Sequence, residues 1–335
     1  MTHGCIDPYE VESIPGKLDR KLVVDGKIHS GKGPYFVSLE WTDEFGLGAI
    51  DPVLEAELWI YDGLGNREMA QNLGEGIYQF PGTIVKGEQG REYWIELAVE
   101  GKSYESSIEK IPPIVPISEI SFREFRKEGF TTANVITVTP FMSLSLESAI
   151  PDWESGPYLR WEVEETYTTN DVRNDELIIC YYTLPLNPQN IQIVDGSGFL
   201  NPTLVLDPIA DREIDWTFNL RHVFSVYQFS ITEEAFQYWR RLQEVINQTG
   251  GIFDKPPAPV RGNIRNILDP GEIVLGYFGA ESIDTLRLTT FSSDFRFGSV
   301  PPRCPFNPSG VLPPQCRPCW ELENVFFERP FYFDN

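Results

Sequence analysis

The spacing of the cysteines is the first feature of this chain that suggests chemistry. Cys316 and Cys319 form a C-x-x-C pair in "QCRPCW". A zinc knuckle needs a second pair at matching spacing, which Cys180 and Cys304 do not supply, and a thioredoxin-like site needs a βαβ context that is absent here. In an exported protein such cysteines form disulfides. We therefore predict two disulfide bonds among these four residues and leave their pairing open.

The remaining cysteine, Cys5, stands apart from the others and follows Gly4 in "MTHGCIDPYE". A lipidated bacterial surface protein begins its mature chain at a cysteine that follows a small residue. Cys5 is therefore a candidate lipidation site, and residues 1–20 are a candidate tether. An ordinary thiol near a frayed terminus is the alternative, and it stays open.

Carboxylate pairs are the second group of candidates for chemistry. Glu162 with Glu164, and Asp152 with Glu154, are i,i+2 pairs on a predicted strand or loop. A glycoside hydrolase needs two carboxyl groups about 5–10 Å apart across a cleft. Neighbours on one face of a strand meet that distance, but so do many surface pairs. A carboxylate-dependent hydrolase is therefore the less favoured interpretation, and we predict that the chain is not an enzyme.

Histidines add little to these candidates. The chain has three, which lie far apart in sequence and lack a spaced partner: His3, His29 and His222. This pattern counts against a His-based zinc site and against a Ser-His-Asp triad. An EF-hand loop is also missing from the sequence. We expect neither a metal nor a cofactor.

The charge of the chain limits its partners. Its 27 basic and 50 acidic side chains give a formal net charge of −23. Such a surface repels phosphate backbones, so we expect no nucleic-acid partner, and solubility is the simplest reason for the acidity. The sequence contains no apolar run of about 18 residues that would span a membrane as a helix.

Alternating apolar runs predict a front domain built of strands. They begin at Lys21 and recur in "KLVVDGKI", "PYFVSLEWT" and "EYWIELAVEGKSYESSIEKI". About seven strands at this spacing are typical of an immunoglobulin-like β-sandwich, which we predict over residues 21–115. The prolines of "IPPIVPISEI" (Ile111–Ile120) then indicate a stiff linker and a domain boundary.

Residues 116–335 are predicted to form a larger β-rich domain. In "PYLRWEVEETY", Arg160 and Glu162 fall on one face of a strand and Trp161 and Val163 on the other, so we predict a half-buried strand. The fold class is thus mainly β: an immunoglobulin-like sandwich followed by a larger β-rich domain.

One amphipathic helix is predicted within this second domain, near residues 231–249. Ser230 and Glu233 have the spacing of a capping box, and Gly250 has the type that ends a helix. The aromatic stripe that contains Phe236 and Trp239 is expected to pack on the sheet rather than to bind a ligand.

The stretch "GGIFDKPPAPVRGNIRN" (Gly250–Asn266) follows the helix and precedes a buried strand. Its prolines stiffen the chain and Gly262 allows a turn, so we predict an ordered connection. Arg261 and Arg265 either pair with nearby carboxylates or bind an anionic ligand. In so acidic a chain, local pairing is the favoured interpretation.

The segment "YWRRLQEVINQTGGIFDKPPAPVRGNIRNILDPGEIVLGYFGA" resembles the signature of a Bacteroidota lipoprotein family known as domain of unknown function 4249. "CIDPYE" resembles the lipidated start of that family, "KLVVDGKI" its first strand, and "CRPCW" with "ERPFYF" its tail. The resemblance covers nearly the whole chain. Its motifs are packing and turn motifs, so it brings no catalytic residues.

The resemblance implies a lipoprotein anchored through Cys5 in the outer membrane and facing the cell surface, with Asp7 and Glu10 resembling an acidic export signal. It implies a partner in the same membrane, a TonB-dependent receptor or another complex. We therefore expect a non-catalytic accessory of a TonB-dependent transporter. A structural or assembly subunit of an outer-membrane complex is the alternative.

Overall fold

A computed structural model describes residues 20–42, 51–130, 134–151, 156–197, 199, 202–248, 259–296, 298–304 and 313–333. Within these residues the fold is mainly β, as predicted. The first ten strands are β1 (Leu22–His29), β2 (Tyr35–Trp41), β3 (Asp51–Pro52), β4 (Glu57–Asp62), β5 (Arg67–Met69), β6 (Gln71–Gly74), β7 (Ile77–Phe80), β8 (Glu92–Val99), β9 (Lys102–Ser106) and β10 (Glu109–Lys110).

The later elements are β11 (Ile117–Phe130), β12 (Ile136–Ala149), β13 (Tyr158–Arg173), β14 (Glu176–Pro185), β15 (Gln192–Asp195), β16 (Thr203–Glu213), β17 (His222–Ile231), α1 (Glu233–Gln248), β18 (Ile264–Asn266), β19 (Leu275–Thr290) and β20 (Val325–Phe326). Short 3-10 helices occur at Trp216–Asn219, Ser292–Asp294, Pro314–Cys316, Cys319–Glu321 and Phe331–Phe333.

The front part of the protein is a sandwich of two sheets. Strands β1, β2 and β7 belong to one long sheet, and β4, β8 and β9 belong to a second. Their alternating residues meet in one apolar core, with Val24 and Phe80 on the first side and Ile60 and Tyr104 on the second. Apolar burial between facing sheets is the main source of stability in such an arrangement.

The back part uses both faces of the long sheet, whose central order there is β14-β13-β17-β19. On one face, Trp161 and Val163 of β13 pack with residues of the three-stranded sheet β11-β12-β16, including Leu144 and Ile209. On the other face, α1 packs through Ala235 and other residues onto β17 and β19.

Strand β19 joins the two parts. From Leu275 to Glu281 it pairs in parallel with β1, and from Ser282 onward it pairs antiparallel with β17. The long sheet therefore runs across the division predicted at residue 115. The order of the elements along the sequence does not reveal this. Strand β18 and the first half of β19 come late in the sequence, but they pair with β9 and β1 of the front sandwich.

The proline-rich linker is held against the sheet. The Val115 amide donates to Ser230 Oγ (3.1 Å), and Gln228 Nε2 donates to the Val115 carbonyl oxygen (2.7 Å). Ser282 Oγ donates to the Pro112 carbonyl oxygen. Side chains of β17 and β19 thus satisfy a backbone that prolines keep from pairing as a strand.

The predicted capping box is wrong. Ser230 is the penultimate residue of β17, where it pairs with Leu159, and α1 begins at Glu233. Thr232 caps the helix instead, because its Oγ1 accepts from the Ala235 amide at 3.2 Å. Strand pairing has overridden the local capping signal. Gly250, the predicted end of the helix, lies outside the described residues.

The ordered connection predicted after the helix is partly described, from Pro259 onward. Asn263 Nδ2 donates to the Phe278 carbonyl oxygen (2.8 Å), and the Phe278 amide donates to Asn263 Oδ1 (2.9 Å). Gly262 permits this approach, since a Cβ there would lie 1.4 Å from the Gly276 carbonyl oxygen. The role of Gly262 is therefore close backbone packing.

The four cysteines predicted to form disulfides do so, as Cys180–Cys319 and Cys304–Cys316. The first bond ties the C-terminal tail to β14 across 139 residues, whereas the second closes a 12-residue separation within the tail. The two cysteines of the C-x-x-C pair thus have different partners. Cys5 lies outside the described residues.

We predict that Gly276→Ala destabilises the protein far more than Gly65→Ala. Both glycines have φ of +85°, but a Cβ at Gly276 would lie 2.0 Å from the Val24 carbonyl oxygen, whereas one at Gly65 meets no atom within 4 Å. The left-handed conformation alone costs an alanine about 1 kcal/mol, and the overlap should raise the loss to about 3 kcal/mol. Urea unfolding measures both; equal losses would contradict the packing role.

We predict that removal of the Cys180–Cys319 bond costs more stability than removal of the Cys304–Cys316 bond. The longer closed segment restricts the unfolded chain more, so chain entropy predicts losses of about 5 and about 3 kcal/mol for the two Cys→Ala double variants. Unfolding of both variants by guanidinium tests the order. A larger loss of stability on removal of the Cys304–Cys316 bond would show that the Cys180–Cys319 bond is not the more stabilising of the two.

Candidate functional site

Two adjoining cavities open on the face of the long sheet that α1 partly covers. Their volumes are about 220 and 240 Å³, and they share Arg160, Glu162 and Trp239. The first extends toward residues 185–192, and the second extends over β1 and β2 of the front sandwich. We call the pair the junction cleft. Together the cavities have the size of small-molecule sites, about 300–1,000 Å³.

Strand pairing brings the front residues of the cleft together. Asp25 lies in the middle of β1, opposite Ser38 of β2 and Tyr277 of β19. Side chains alternate along a strand, so Asp25 and Lys27 share the face turned away from the apolar core. The sequence places Asp25-Gly26 between two apolar pieces, and the structure shows that these residues belong to one continuous strand.

Arg160 is the buried centre of the cleft. Its side chain is 5% exposed and lies between two aromatic rings, 4.4 Å from the centroid of Phe229 and 4.6 Å from that of Trp239. Its Nη1 is 2.5 Å from Glu162 Oε1, and its Nη2 is 3.3 Å from Glu281 Oε2. Burial acts to lower the pKa of Arg160, but the two carboxylates outweigh it and raise that pKa.

Glu162 connects Arg160 to Lys27. The Lys27 ammonium donates to Glu162 Oε1 at 3.3 Å and lies 4.2 Å from the centroid of the Phe229 ring. Burial acts to raise the pKa of Glu162, but Arg160 and then Lys27 outweigh it, so the pKa is lowered. Lys27, Glu162, Arg160 and Glu281 thus form a chain of alternating charges.

Asp25 differs from these four residues. Among the described residues, no group donates a hydrogen bond to its carboxylate. The Asp25 side chain is exposed to solvent at the mouth of the second cavity, with protein packed around it at longer range. This desolvation raises its pKa above the usual 3.8, although Lys27 and Arg160 act in the opposite direction.

Helix α1 forms one wall of the cleft. Phe236 packs against Tyr158 with ring centroids 5.1 Å apart, and Tyr238 stacks on Tyr277 at 4.9 Å. The prediction that the aromatic stripe packs on the sheet is confirmed for these rings. Trp239 is only partly buried and also lines both cavities, so one ring of the stripe faces the candidate site.

A second buried carboxylate fixes the helix beside the cleft. Glu109 accepts hydrogen bonds from the hydroxyls of Thr232 and Tyr277, each at 2.6 Å. Burial raises the pKa of Glu109, although these hydrogen bonds act to lower it. Glu109 thereby links the front sandwich, the start of α1 and β19.

The structure brings one predicted carboxylate pair to the cleft. Glu162 and Glu164 both line the first cavity. Glu162 is engaged with Arg160 and Lys27, and Glu164 accepts from the Tyr227 hydroxyl at 2.7 Å. Asp152 and Glu154 lie outside the described residues.

The other candidates lie elsewhere or act locally. His222 is fully buried, stacks on Phe218 at 4.1 Å and contacts Glu165 at 3.1 Å. Arg265 pairs with Glu105, so the favoured local pairing is confirmed for this arginine. His3 lies outside the described residues.

Sequence reasoning missed Asp25, Lys27 and Glu281. A signal existed for the first two, since charged residues two apart within an apolar run must share one face of a strand. No comparable signal existed for Glu281, which lies 121 residues from its partner Arg160.

Two other kinds of feature are absent from the described ranges. No group of three or more His, Cys, Asp or Glu residues there could hold a metal ion. In the same part of the chain, the helices are too short or too polar to cross a membrane.

These features define a mainly β, disulfide-bonded protein with a ligand-sized cleft where its front sandwich meets its back sheets. The family model described as Domain of unknown function (DUF4249) matches residues 6–287. The chain therefore belongs to that family, as its motifs suggested. No curated protein matches the chain.

We predict strong coupling between Arg160 and Glu281. Arg160→Met should cost about 3 kcal/mol because it leaves the buried Glu281 without its partner, and Glu281→Met should cost less because Arg160 keeps Glu162. The double variant should cost less than the sum of the two. Urea unfolding of the four proteins measures the coupling. As a control, Arg265→Met breaks an exposed pair and should cost under about 1 kcal/mol. Additive losses would contradict the coupling.

Proposed function

We propose that this chain is a non-catalytic binding protein of the outer membrane, which captures a small ligand in the junction cleft and passes it to a TonB-dependent transporter. The main evidence for this proposal is the junction cleft. It combines aromatic walls with a few convergent charged groups and a carboxylate of perturbed pKa, which are the features of a ligand site.

The arrangement of the carboxylates favours binding over hydrolysis. General acid–base chemistry needs two groups whose environments push their pKa values apart and which are free to contact substrate. Glu162 is held ionised by Arg160 and Lys27, and Glu281 is buried against Arg160. Asp25 is thus the carboxylate of the cleft that is most available to a ligand.

The proposed location rests on the disulfides and on the resemblance. Both disulfides suit an oxidising compartment. The resemblance to Bacteroidota lipoproteins is the basis for placing the protein at the outer membrane and the cell surface, with a lipid anchor at Cys5. It is also the basis for naming a transporter as the partner.

The first test is a pull-down of the tagged full-length protein from native outer membranes, read by mass spectrometry. The proposal expects a stoichiometric TonB-dependent receptor. Recovery of the protein alone would count against the transporter role.

A parallel thermal-shift screen of small molecules tests whether the junction cleft binds a ligand. Ligands of the cleft should raise the melting temperature of the wild type and should lose that effect in Trp239→Ala. A screen without any hit that depends on Trp239 would remove the cleft from the proposal.

A second candidate function, as an assembly subunit, is favoured by a projecting hairpin. Strand β16 pairs with β12 only from Phe141 onward, so β11 and β12 extend beyond it as a two-stranded arm. Phe130 and Ile136 face each other near its end and are 71% and 64% exposed. Exposed apolar patches of this kind mark protein contacts.

We predict that the arm and the cleft have separable effects. If the protein is an assembly subunit, Phe130→Ser with Ile136→Ser should abolish recovery of the membrane partner, because the apolar contact is lost. Trp239→Ala should leave that recovery unchanged. The same pull-down measures both variants, and circular dichroism checks their folding. Full recovery with the arm variant would contradict a docking role for the arm.

A further inference from the structure

The charged groups of the cleft are balanced except for one. Lys27, Glu162, Arg160 and Glu281 comprise two cations and two anions in successive contact. Asp25 is left over, and the described residues provide no ion pair for it. With Asp25 the second cavity of the cleft has two cations and three anions, so it carries one negative charge in excess and favours a cationic ligand.

A second, independent observation shows that hydrogen bonding at this site is incomplete. Arg160 is 4% exposed, and its Nε is a buried donor without an acceptor. Buried polar groups in native proteins are nearly always paired, with protein, water or ligand. Arg160 lines both cavities, and its unpaired N–H needs an acceptor atom, such as a carbonyl oxygen that a ligand carries beside its cation.

The walls near Asp25 are apolar. Phe36 is 49% exposed, Ile77 is 36% exposed, and both line the second cavity together with Trp239. Large apolar side chains that remain exposed inside a concave site favour an apolar ligand surface. An aromatic face also attracts a cation, as the positions of Lys27 and Arg160 beside Phe229 already show.

We propose that the junction cleft binds a primary ammonium group carried on an apolar stem, with Asp25 as its counter-ion and Phe36, Ile77 and Trp239 in contact with the stem. This inference rests on the proposed capture of a ligand by the cleft. The ammonium group neutralises the unpaired Asp25 carboxylate, and the methylene groups of the stem cover the exposed apolar walls. The same chemistry occurs in the lysine side chain of a peptide and in a free alkylamine.

The experiment is calorimetric titration of the oxidised full-length chain with probes matched in shape and different in charge. One pair is N-acetyl-Gly-Lys-Gly-amide and its lysine-acetylated form. The other set is pentylamine, pentanol and hexanoate. A charge-assisted hydrogen bond to Asp25 should make the ammonium probes bind at least about tenfold more tightly than their neutral partners.

Variants separate this site from general attraction by an acidic surface. Asp25→Asn should weaken the ammonium probes by at least about tenfold and leave the neutral probes unchanged. The matched control, Glu119→Gln, removes one exposed carboxylate from β11 and should leave the affinity unchanged. If the lysine peptide binds more tightly than pentylamine, the ammonium group of the natural ligand belongs to a peptide lysine. If pentylamine binds more tightly, it belongs to a free amine.

The pH dependence provides a second readout. Asp25 faces Lys27 of its own strand, Arg160 and Glu162 of β13, Glu281 of β19 and Tyr238 of α1. Desolvation raises the pKa of Asp25, so ammonium affinity should fall as the pH drops through that raised value, above the usual 3.8. Asp25→Asn should remove this part of the pH dependence.

Two outcomes would overturn the inference. Neutral or anionic probes that bind as tightly as the ammonium probes, with losses in Trp239→Ala, would leave the cleft as a ligand site and remove the ammonium assignment. Ammonium binding that is equal in wild type and Asp25→Asn would show that Asp25 is not the counter-ion. Failure of the proposed function is seen separately, in a screen without any Trp239-dependent hit.

Discussion

The sharing of β19 between the two parts of the protein is the constraint on which the rest of the structure depends. The strand changes partner between Glu281 and Ser282, from β1 of the front sandwich to β17 of the back sheet. Because both sets of ladder hydrogen bonds use one continuous backbone, the two parts cannot turn relative to each other without breaking a sheet. The junction cleft lies beside this change of partner.

The ionic chain of the cleft follows from that constraint. Glu281 is the last residue of β19 that pairs with β1, and Arg160 of β13 reaches it from the back sheet. A buried pair is weak evidence for stability, since desolvation offsets much of the attraction. Its clearer consequence is positional, because it holds Arg160 between Phe229 and Trp239 and places Glu162 against Lys27. Asp25 is then the carboxylate left to meet a ligand.

Much of the local structure is predictable from particular residues. The alternation around Trp161 and Val163 predicted a strand that the structure contains, and the amphipathic pattern predicted α1. Glu162 and Glu164 were the cleft residues among the predicted candidates for chemistry. The contact of Glu162 with Lys27 was not predicted, because Lys27 reaches it from a strand 135 residues away. Ser230 was misassigned as a cap, since pairing with Leu159 is a contact between distant segments.

The sequence by itself determined the strand-rich class, the position of the amphipathic helix α1, and the presence of disulfides among four cysteines, because side-chain periodicity and residue type are local properties. Only the tertiary structure decided which cysteines pair, which strand joins the two parts, and where Asp25, Arg160 and Glu281 meet. Most of those outcomes depend on contacts across more than 100 residues, such as the 121 between Arg160 and Glu281 and the 139 between Cys180 and Cys319. Packing of the whole chain selects them, and no short pattern encodes them.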